Sequence, residues 1–215
     1  AWVSGGDLEL SIDQWFKGMQ EHNTYLTLGG SWVNKYESAD NDNVMVPGAS
    51  YSLKFPSSVN AFDIRANLQT GDFSFLAEYA WKTQDPTFEN KYVYRTGKVA
   101  MLSASYSRKG FSVLAQAKRS DNMGFRSARS VTGLSSNINN LPAFTMEQTY
   151  TLAALYPYAT RSEGEWAFQG EVGYKFKGKY APSFKLNYSH VFDINKNIKK
   201  SSVFDGYGFG SDGYG

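Results

Sequence analysis

The chain has 215 residues, 41% of them hydrophobic, with 22 basic and 20 acidic side chains, a formal net charge of +2 and no cysteine. That length holds one sizeable domain or one all-β barrel, the near-neutral charge supplies no field suited to nucleic acid, and the missing cysteine removes disulfide frameworks, thiolate metal sites and thiol nucleophiles. Aromatics are abundant (15 Tyr, 15 Phe and 5 Trp), and no run of about eighteen apolar residues occurs, which excludes a transmembrane helix but not a membrane β-strand, half of whose residues are polar.

The chain opens on "AWVSGGDLEL", with neither an initiator Met nor the charged-then-apolar profile of a signal peptide. Leu8, Leu10 and Ile12 then alternate with Asp7, Glu9 and Ser11. In "TYLTLGGSWVNKY", Leu26, Leu28, Trp32 and Tyr36 share a face opposite Thr27, Ser31 and Lys35. Period-two alternation of this kind is the signal of a strand with one apolar face.

The clearest hairpin follows around the turn Gln69-Thr70-Gly71-Asp72. Its apolar side carries Phe62, Ile64, Ala66 and Leu68, then Phe73, Phe75, Ala77, Tyr79 and Trp81. Its polar side carries Asp63, Arg65, Asn67 and Gln69, then Ser74, Glu78 and Lys82. The stretch from Lys98 to Ser120 repeats the design, with Leu102, Ala104, Tyr106, Phe111, Val113, Ala115 and Ala117 set against Ser103, Ser105, Ser107, Ser112, Gln116 and Lys118. Tyr150, Leu152, Ala154 and Tyr156 oppose Thr149 and Thr151. Last come Trp166, Phe168, Val172, Tyr174 and Phe176 against Gln169, Glu171 and Lys175, and Phe184, Leu186, Tyr188 and Phe192 against Ser183, Lys185, Asn187 and Ser189. No amphipathic helix is legible, and about nine to eleven strands are expected at roughly ten residues per span. The closing "GYGFGSDGYG" is glycine-rich and loop-like. Residues 1–215 are therefore expected to be part of a single β-barrel domain truncated at both ends.

Three features favour a lipid-facing barrel over a soluble secreted β-sandwich binding protein, the alternative. Several runs reach the roughly 9–11 residues that cross hydrocarbon at a tilt, whereas strands of soluble proteins run to about 5–6. The middles of the apolar faces hold small residues, at Ala66, Ala77, Ala104, Ala115 and Gly170, which lipid tolerates and a packed core does not favour. Tyr36, Trp81, Tyr106 and Trp166 sit toward strand ends, as headgroup-level aromatics do, while Trp32 reads as nearer mid-strand. Connections add a fourth clue. Tight turns at Gln69–Asp72 and Arg108–Gly110 alternate with long polar segments at Glu37–Ser58, Thr83–Lys98 and Asp121–Met146, the asymmetry of short periplasmic turns and long outer loops. The parity falters beyond, where Ala159–Glu165 and Lys177–Pro182 are both intermediate.

The stretch "NNLPAFTMEQTYTLAALYPYAT" carries Pro142, Ala143, Thr145, Thr149, Tyr150, Leu152, Ala153, Pro157, Tyr158, Ala159 and Thr160 in an order that resembles an uncharacterised family of Bacteroidota outer-membrane proteins, defined only as a domain of unknown function. "GGSWVNKYES" and "GEVGYKFKGKY" followed by "FKLNYSHVF" are similar to it in order and spacing. Members of that family often have His beside the Thr-Tyr, where this chain has Gln148. The resemblance spans most of the chain, corresponds to the later part of a longer family protein, and implies an outer-membrane barrel with no assigned activity.

Candidate chemistry is sparse. His22 and His190 are the only histidines and neither lies near a nucleophile elbow, so no catalytic residue is assigned and no enzyme is expected. His190 shares the lipid-facing parity of Tyr188 and Phe192. Asp40 and Asp42 are spaced like the first ligands of a calcium loop, but Met45 and Tyr51 stand where the glycine and glutamate are required, so no metal and no cofactor is expected. Lys118, Arg119, Arg126 and Arg129 form a basic cluster, in which Arg119, Arg126 and Arg129 are the candidates for pairing with lipid phosphates. The candidates for the lumen are Asp63, Arg65, Asn67, Glu78, Gln116, Lys118, Gln169, Glu171, Lys175 and Lys185, with Asn187 beside them. Their mixed signs suit ion pairs between strands, whether around a water-filled pore or within a plug. The expected protein is an antiparallel outer-membrane β-barrel of a Gram-negative bacterium, channel-like or a membrane-embedded subunit of an envelope assembly. Its partners would be outer-membrane lipid and envelope proteins met through the long loops.

Overall fold

A computed structural model of the chain describes residues 1–38, 52–90, 92, 94–130, 136–144, 159–161, 164–178 and 180–194. They form one antiparallel sheet in simple meander order: β1 (Trp2–Ser11), β2 (Thr24–Tyr36), β3 (Ser58–Thr70), β4 (Phe73–Lys82), β5 (Gly97–Arg108), β6 (Phe111–Asp121), β7 (Gly164–Lys175) and β8 (Ser183–Asp193). Each strand pairs with the next in unbroken register. The sheet does not close, because β1 and β8 remain its two edges.

The expected count of nine to eleven strands is corrected to eight among the described residues. The excess had two sources. The alternation at Tyr150–Tyr156 lies outside the described residues, and β6 pairs directly with β7, from Asp121 opposite Gly164 to Phe111 opposite Tyr174. No described strand stands between β6 and β7 in the sheet, so short and long connections alternate through to β8 among the described strands. The long connections leave from the ends of β2, β4 and β6 at one rim, and the shorter ones from the ends of β1, β3, β5 and β7 at the other. The second correction concerns Ile12. Ile12 does not continue β1 but starts a 3-10 turn (Ile12–Trp15), followed by a short helix α1 (Lys17–Glu21).

The tight turns form for local reasons. Lys109 and Gly110 both have positive φ, 48° and 89°, as the two-residue hairpin turn matching strand twist demands. Gly71 at φ 54° opens the other two-residue turn.

Register then sorts the side chains, since alternate residues point to opposite faces. On the apolar face, Trp32, Phe62, Trp81 and Lys98 stand side by side across β2 to β5, and Arg119, Trp166 and Phe192 across β6 to β8. Trp32 is nearer the middle of β2, which runs on to Tyr36, yet register sets it level with Trp81. Near the short-turn rim Phe73 pairs with Tyr106, and Phe111, Tyr174 and Phe184 stand in line. Between these aromatic rows lie Ala66 opposite Ala77, and Ala104, Ala115 and Gly170 in sequence. From Phe73 to Trp81 the strand is about 27 Å long at 3.4 Å per residue, or about 21 Å along the membrane normal at a tilt of about 40°, close to the band of about 25 Å that barrels present to hydrocarbon.

Burial is inverted relative to a protein that folds around an apolar core. Residues of the apolar face such as Ile64 (55% exposed), Leu102 (59%) and Leu186 (60%) are open to the surroundings. No second sheet covers them among the described residues, as a β-sandwich would require. Most buried strand side chains are instead on the polar face toward the long-loop rim, among them Lys35, Val59, Ala80, Lys82, Val99, Lys118, Ser120, Glu165 and Ala167, while Asp121 at the end of β6 is buried on the apolar side. Loop residues Phe55, Tyr92, Met123, Phe125 and Phe144 are buried with them.

Candidate functional site

Two sites emerge from this arrangement: the loop-covered half of the polar face, and its more open half toward the short turns. The covered half is organised by three buried lysines. Lys35 and Lys82 share one loop carboxylate, Lys35 Nζ donating to Asp85 Oδ1 at 2.7 Å and Lys82 Nζ to Asp85 Oδ2 at 3.3 Å. Both ammonium groups lie over the Phe125 ring, at 5.7 and 5.9 Å from its centroid. Lys82 also donates to the Gly124 carbonyl. It has room to do so because its stem lies over Gly97, where a Cβ would come within 2.7 Å of Lys82 Cγ. Lys118 pairs with Glu165 Oε1 at 2.8 Å, donates to the Pro142 carbonyl at 2.5 Å and to Thr160 Oγ1 at 2.7 Å, and lies over Phe144 at 5.2 Å.

The segments that bring these partners are fixed by hydrogen bonds of their own. Asn90 donates to the Asp85 carbonyl and to Asn122 Oδ1, both at 2.9 Å, and accepts from the Thr87 N–H at 2.9 Å. Asn139 donates to the Met123 carbonyl at 2.8 Å and accepts from the Phe125 N–H at 3.1 Å. Tyr94 donates to the Lys54 carbonyl at 2.8 Å, and burial pushes its phenol above the ordinary value despite the Arg129 charge, which lowers it. Loop and strand charges thus interlock into a closed, largely neutralised layer. Asp85, Phe125, Glu165 and Glu37 were not singled out by sequence reasoning, and of the three lysines only Lys118 was.

The open half holds the remaining candidates. Arg65 reaches across β2 to β1, donating to Asp7 at 2.6 Å and Glu9 at 3.0 Å, and it also pairs with Asp63 at 3.0 Å. Gly29 makes the crossing possible, since a Cβ there would stand 2.6 Å from Arg65 Nε. Ser31 donates to Asp63, and Glu78 faces Arg65 from β4. Gln116 donates to Ser103 at 3.1 Å and stands opposite Gln169. Lys185 pairs with Glu171 at 2.8 Å, which also accepts from Asn187 at 3.3 Å. Asn67 stands between Thr27 and Leu76, and Lys175 is exposed at the end of β7. All ten lumen candidates therefore share one face of the sheet. Lys118 alone among them is fully buried.

The basic cluster is split by the fold. Arg126 and Arg129 do not present themselves to lipid phosphate: Arg126 is 4% exposed and forks onto Glu89 at 2.8 and 3.0 Å. Arg129 is 1% exposed, pairs with Glu37 at 3.3 Å, donates to the Pro56 carbonyl at 2.9 Å and stacks over Phe55 at 4.7 Å. Both belong to long connections that turn inward onto the polar face, and that correction has a plain cause, since an unpaired guanidinium carried there would be a buried charge. Arg119 does lie on the apolar face, 5.7 Å from the Trp166 ring and 3.5 Å from Asp121. His190 also lies there, between Tyr188 and Phe192. The described residues contain no group of side chains suited to hold a metal, and Asp40 and Asp42 lie outside them.

Comparison with known proteins gives one match. The Family of unknown function (DUF6029) covers residues 1–212. No curated protein and no solved structure matches the chain.

Proposed function

The chain belongs to the Family of unknown function (DUF6029), and from its fold we propose that it forms the wall of a lipid-embedded β-barrel in the outer membrane of a Gram-negative bacterium, of the Bacteroidota type that the sequence resembles. The barrel acts as a channel, without enzymatic activity, and its long-loop mouth is closed by its own connections. The observation that carries this reading is the inverted burial. Large hydrophobic side chains stay exposed on one face between two rows of aromatics, while lysines and carboxylates are buried on the other. A sheet bathed in water gains nothing from that arrangement, whereas one solvated by acyl chains on its apolar face must have it.

The interior supports a gated channel over an open diffusion pore, because Asp85, Phe125 and Phe144 fill the polar face on the long-loop side. A second reading, a membrane-embedded subunit of an envelope assembly, is favoured by the unpaired edges of β1 and β8. Detergent phase separation followed by planar-bilayer recording tests both. Recovery in the detergent phase with discrete conductance steps is expected for the channel. Recovery in the detergent phase with a silent bilayer and co-purifying envelope proteins favours the subunit. Recovery in the aqueous phase refutes membrane residence altogether.

A further inference from the structure

Charge is almost absent from the apolar face. Among the described strand residues, register places only four charged side chains there: Arg108 at the short-turn rim, and Lys98, Arg119 and Asp121 together at the long-loop rim. Arg108 is paired with Asp72 at 3.3 Å. The other three are neighbours. Lys98 stands opposite Asp121 across β5 and β6, and Arg119 is the same-face residue two positions before it, a diagonal separation of about 7–8 Å between backbones that long side chains close easily. Trp81 flanks Lys98 from β4, and Trp166 flanks Arg119 from β7.

Asp121 is held by Arg95 from the loop above and by Arg119 at 3.5 Å, while the Trp166 ring lies 5.7 Å from the Arg119 guanidinium. The carboxylate and the ring together orient Arg119, and Lys98 is exposed and has no ion-pair partner among the described residues. On this face Lys98 and Arg119 stand beside a single carboxylate, Asp121, so positive charge outnumbers negative there. On a face that is otherwise nearly uncharged and mostly apolar, level with two tryptophans of the kind that settle among headgroups, such a surplus calls for an anion attached to a lipid.

We infer that Lys98 and Arg119, between Trp81 and Trp166, form a binding site for the phosphate group of an anionic lipid in the leaflet on the long-loop side. Arg119 supplies the planar fork that matches phosphate oxygens, and Lys98 a mobile point charge on the opposite side of the same group. In the outer leaflet of an outer membrane the fitting ligand is the phosphate monoester of a glycolipid. The inference rests on the membrane reading above and adds to it a ligand class and two residues.

The test uses the full chain reconstituted in nanodiscs of zwitterionic lipid, titrated with bis-phosphorylated lipid A, with the same lipid A after enzymatic removal of its phosphates, and with inorganic phosphate. Wild type is expected to retain phosphorylated lipid A at least tenfold more tightly than the dephosphorylated form, and not to be saturated by inorganic phosphate at the same concentrations. Lys98→Gln/Arg119→Gln is expected to lose that preference, while Lys185→Gln, on the opposite face, keeps it. Equal retention of the two lipid forms, or an unchanged preference in the double variant, overturns the site. Competition by inorganic phosphate at equal strength overturns the lipid assignment. A chain that never inserts in the nanodisc fails the membrane reading instead, which the phase separation registers separately.

Discussion

Replacing Leu102 with arginine separates lipid solvation from exposure to water, because the two make opposite demands at one position. Leu102 lies in the middle of β5, on the apolar face between Ala77 and Ala117, and is 59% exposed. In water an exposed leucine exchanged for arginine changes stability by about 0.5 kcal/mol or less. In hydrocarbon the same exchange places a guanidinium near the midplane, at a cost of about 2–4 kcal/mol. That corresponds to a roughly 30- to 900-fold loss in the folding equilibrium. Ser4 is the control, since it has the same facing but lies one same-face row beyond Gly6 and Trp32, at the long-loop rim, where arginine costs about 0–1 kcal/mol. Reversible urea unfolding in phosphatidylcholine vesicles, followed by tryptophan fluorescence, is expected to show Leu102→Arg well below wild type and Ser4→Arg near it. Equal stability of the two variants refutes lipid solvation of this face.

Three further outcomes are expected. Lys118→Met removes the 2.8 Å ion pair to the fully buried Glu165, which keeps its bond from the Arg161 N–H, and should cost about 3–5 kcal/mol, with part of it recovered in Lys118→Met/Glu165→Leu, since a buried pair broken on one side costs more than a pair replaced by apolar groups; urea midpoints of the two variants check this. Gly29→Val should drive Arg65 off Asp7 and Glu9 and cost about 1–3 kcal/mol by overpacking, and a double-mutant cycle with Arg65→Met should show the loss shrinking once the guanidinium is gone. Single-tryptophan variants retaining only Trp32, Trp81 or Trp166 should all be quenched more by lipids brominated near the headgroup than by lipids brominated at the chain end, with Trp32 at the depth of Trp81 because the two are in register with Phe62.

Strand alternation made the two faces of the sheet legible, because the period of two depends on nothing beyond the strand itself. Phe62, Ile64, Ala66 and Leu68 align with Trp81, Tyr79, Ala77 and Phe75 as their spacing implies. The interior was legible only by half. That Arg65 points to the polar face follows from parity, but that it crosses a whole strand to reach Asp7 depends on Gly29, whose missing side chain carries no such message in isolation. The buried lysine layer was illegible for a different reason. Asp85 meets Lys35 and Phe125 meets Lys82 through connections that read simply as long polar loops. One signal was available: Lys35 and Lys82 take the polar parity close to the strand ends from which the long connections depart, and a buried ammonium there demands a loop-borne acceptor. The same rule accounts for Arg126 and Arg129, since a basic run inside a long loop pairs with Glu89 and Glu37 once that loop folds inward.

The open edges sharpen the membrane reading into a requirement. Along an edge strand, alternate residues turn their N–H and C=O groups away from the sheet, so among the described residues β1 and β8 each present several backbone groups over Trp2–Ser11 and Ser183–Asp193 that no strand pairs. In water these are solvated at little cost. In hydrocarbon each unsatisfied group costs several kcal/mol, and a handful on each edge exceeds the whole stability of an ordinary domain. A sheet whose apolar face is solvated by lipid therefore cannot keep both edges free. Either β1 and β8 pair with each other, or further strands stand between them, and whichever strand meets β1 lies beside Asp7 and Glu9 on the polar face. Asp7 and Glu9 are more than half exposed there, with Arg65 satisfying them from one side only. A donor or cation brought to the other side would pair with them, and water serves them otherwise.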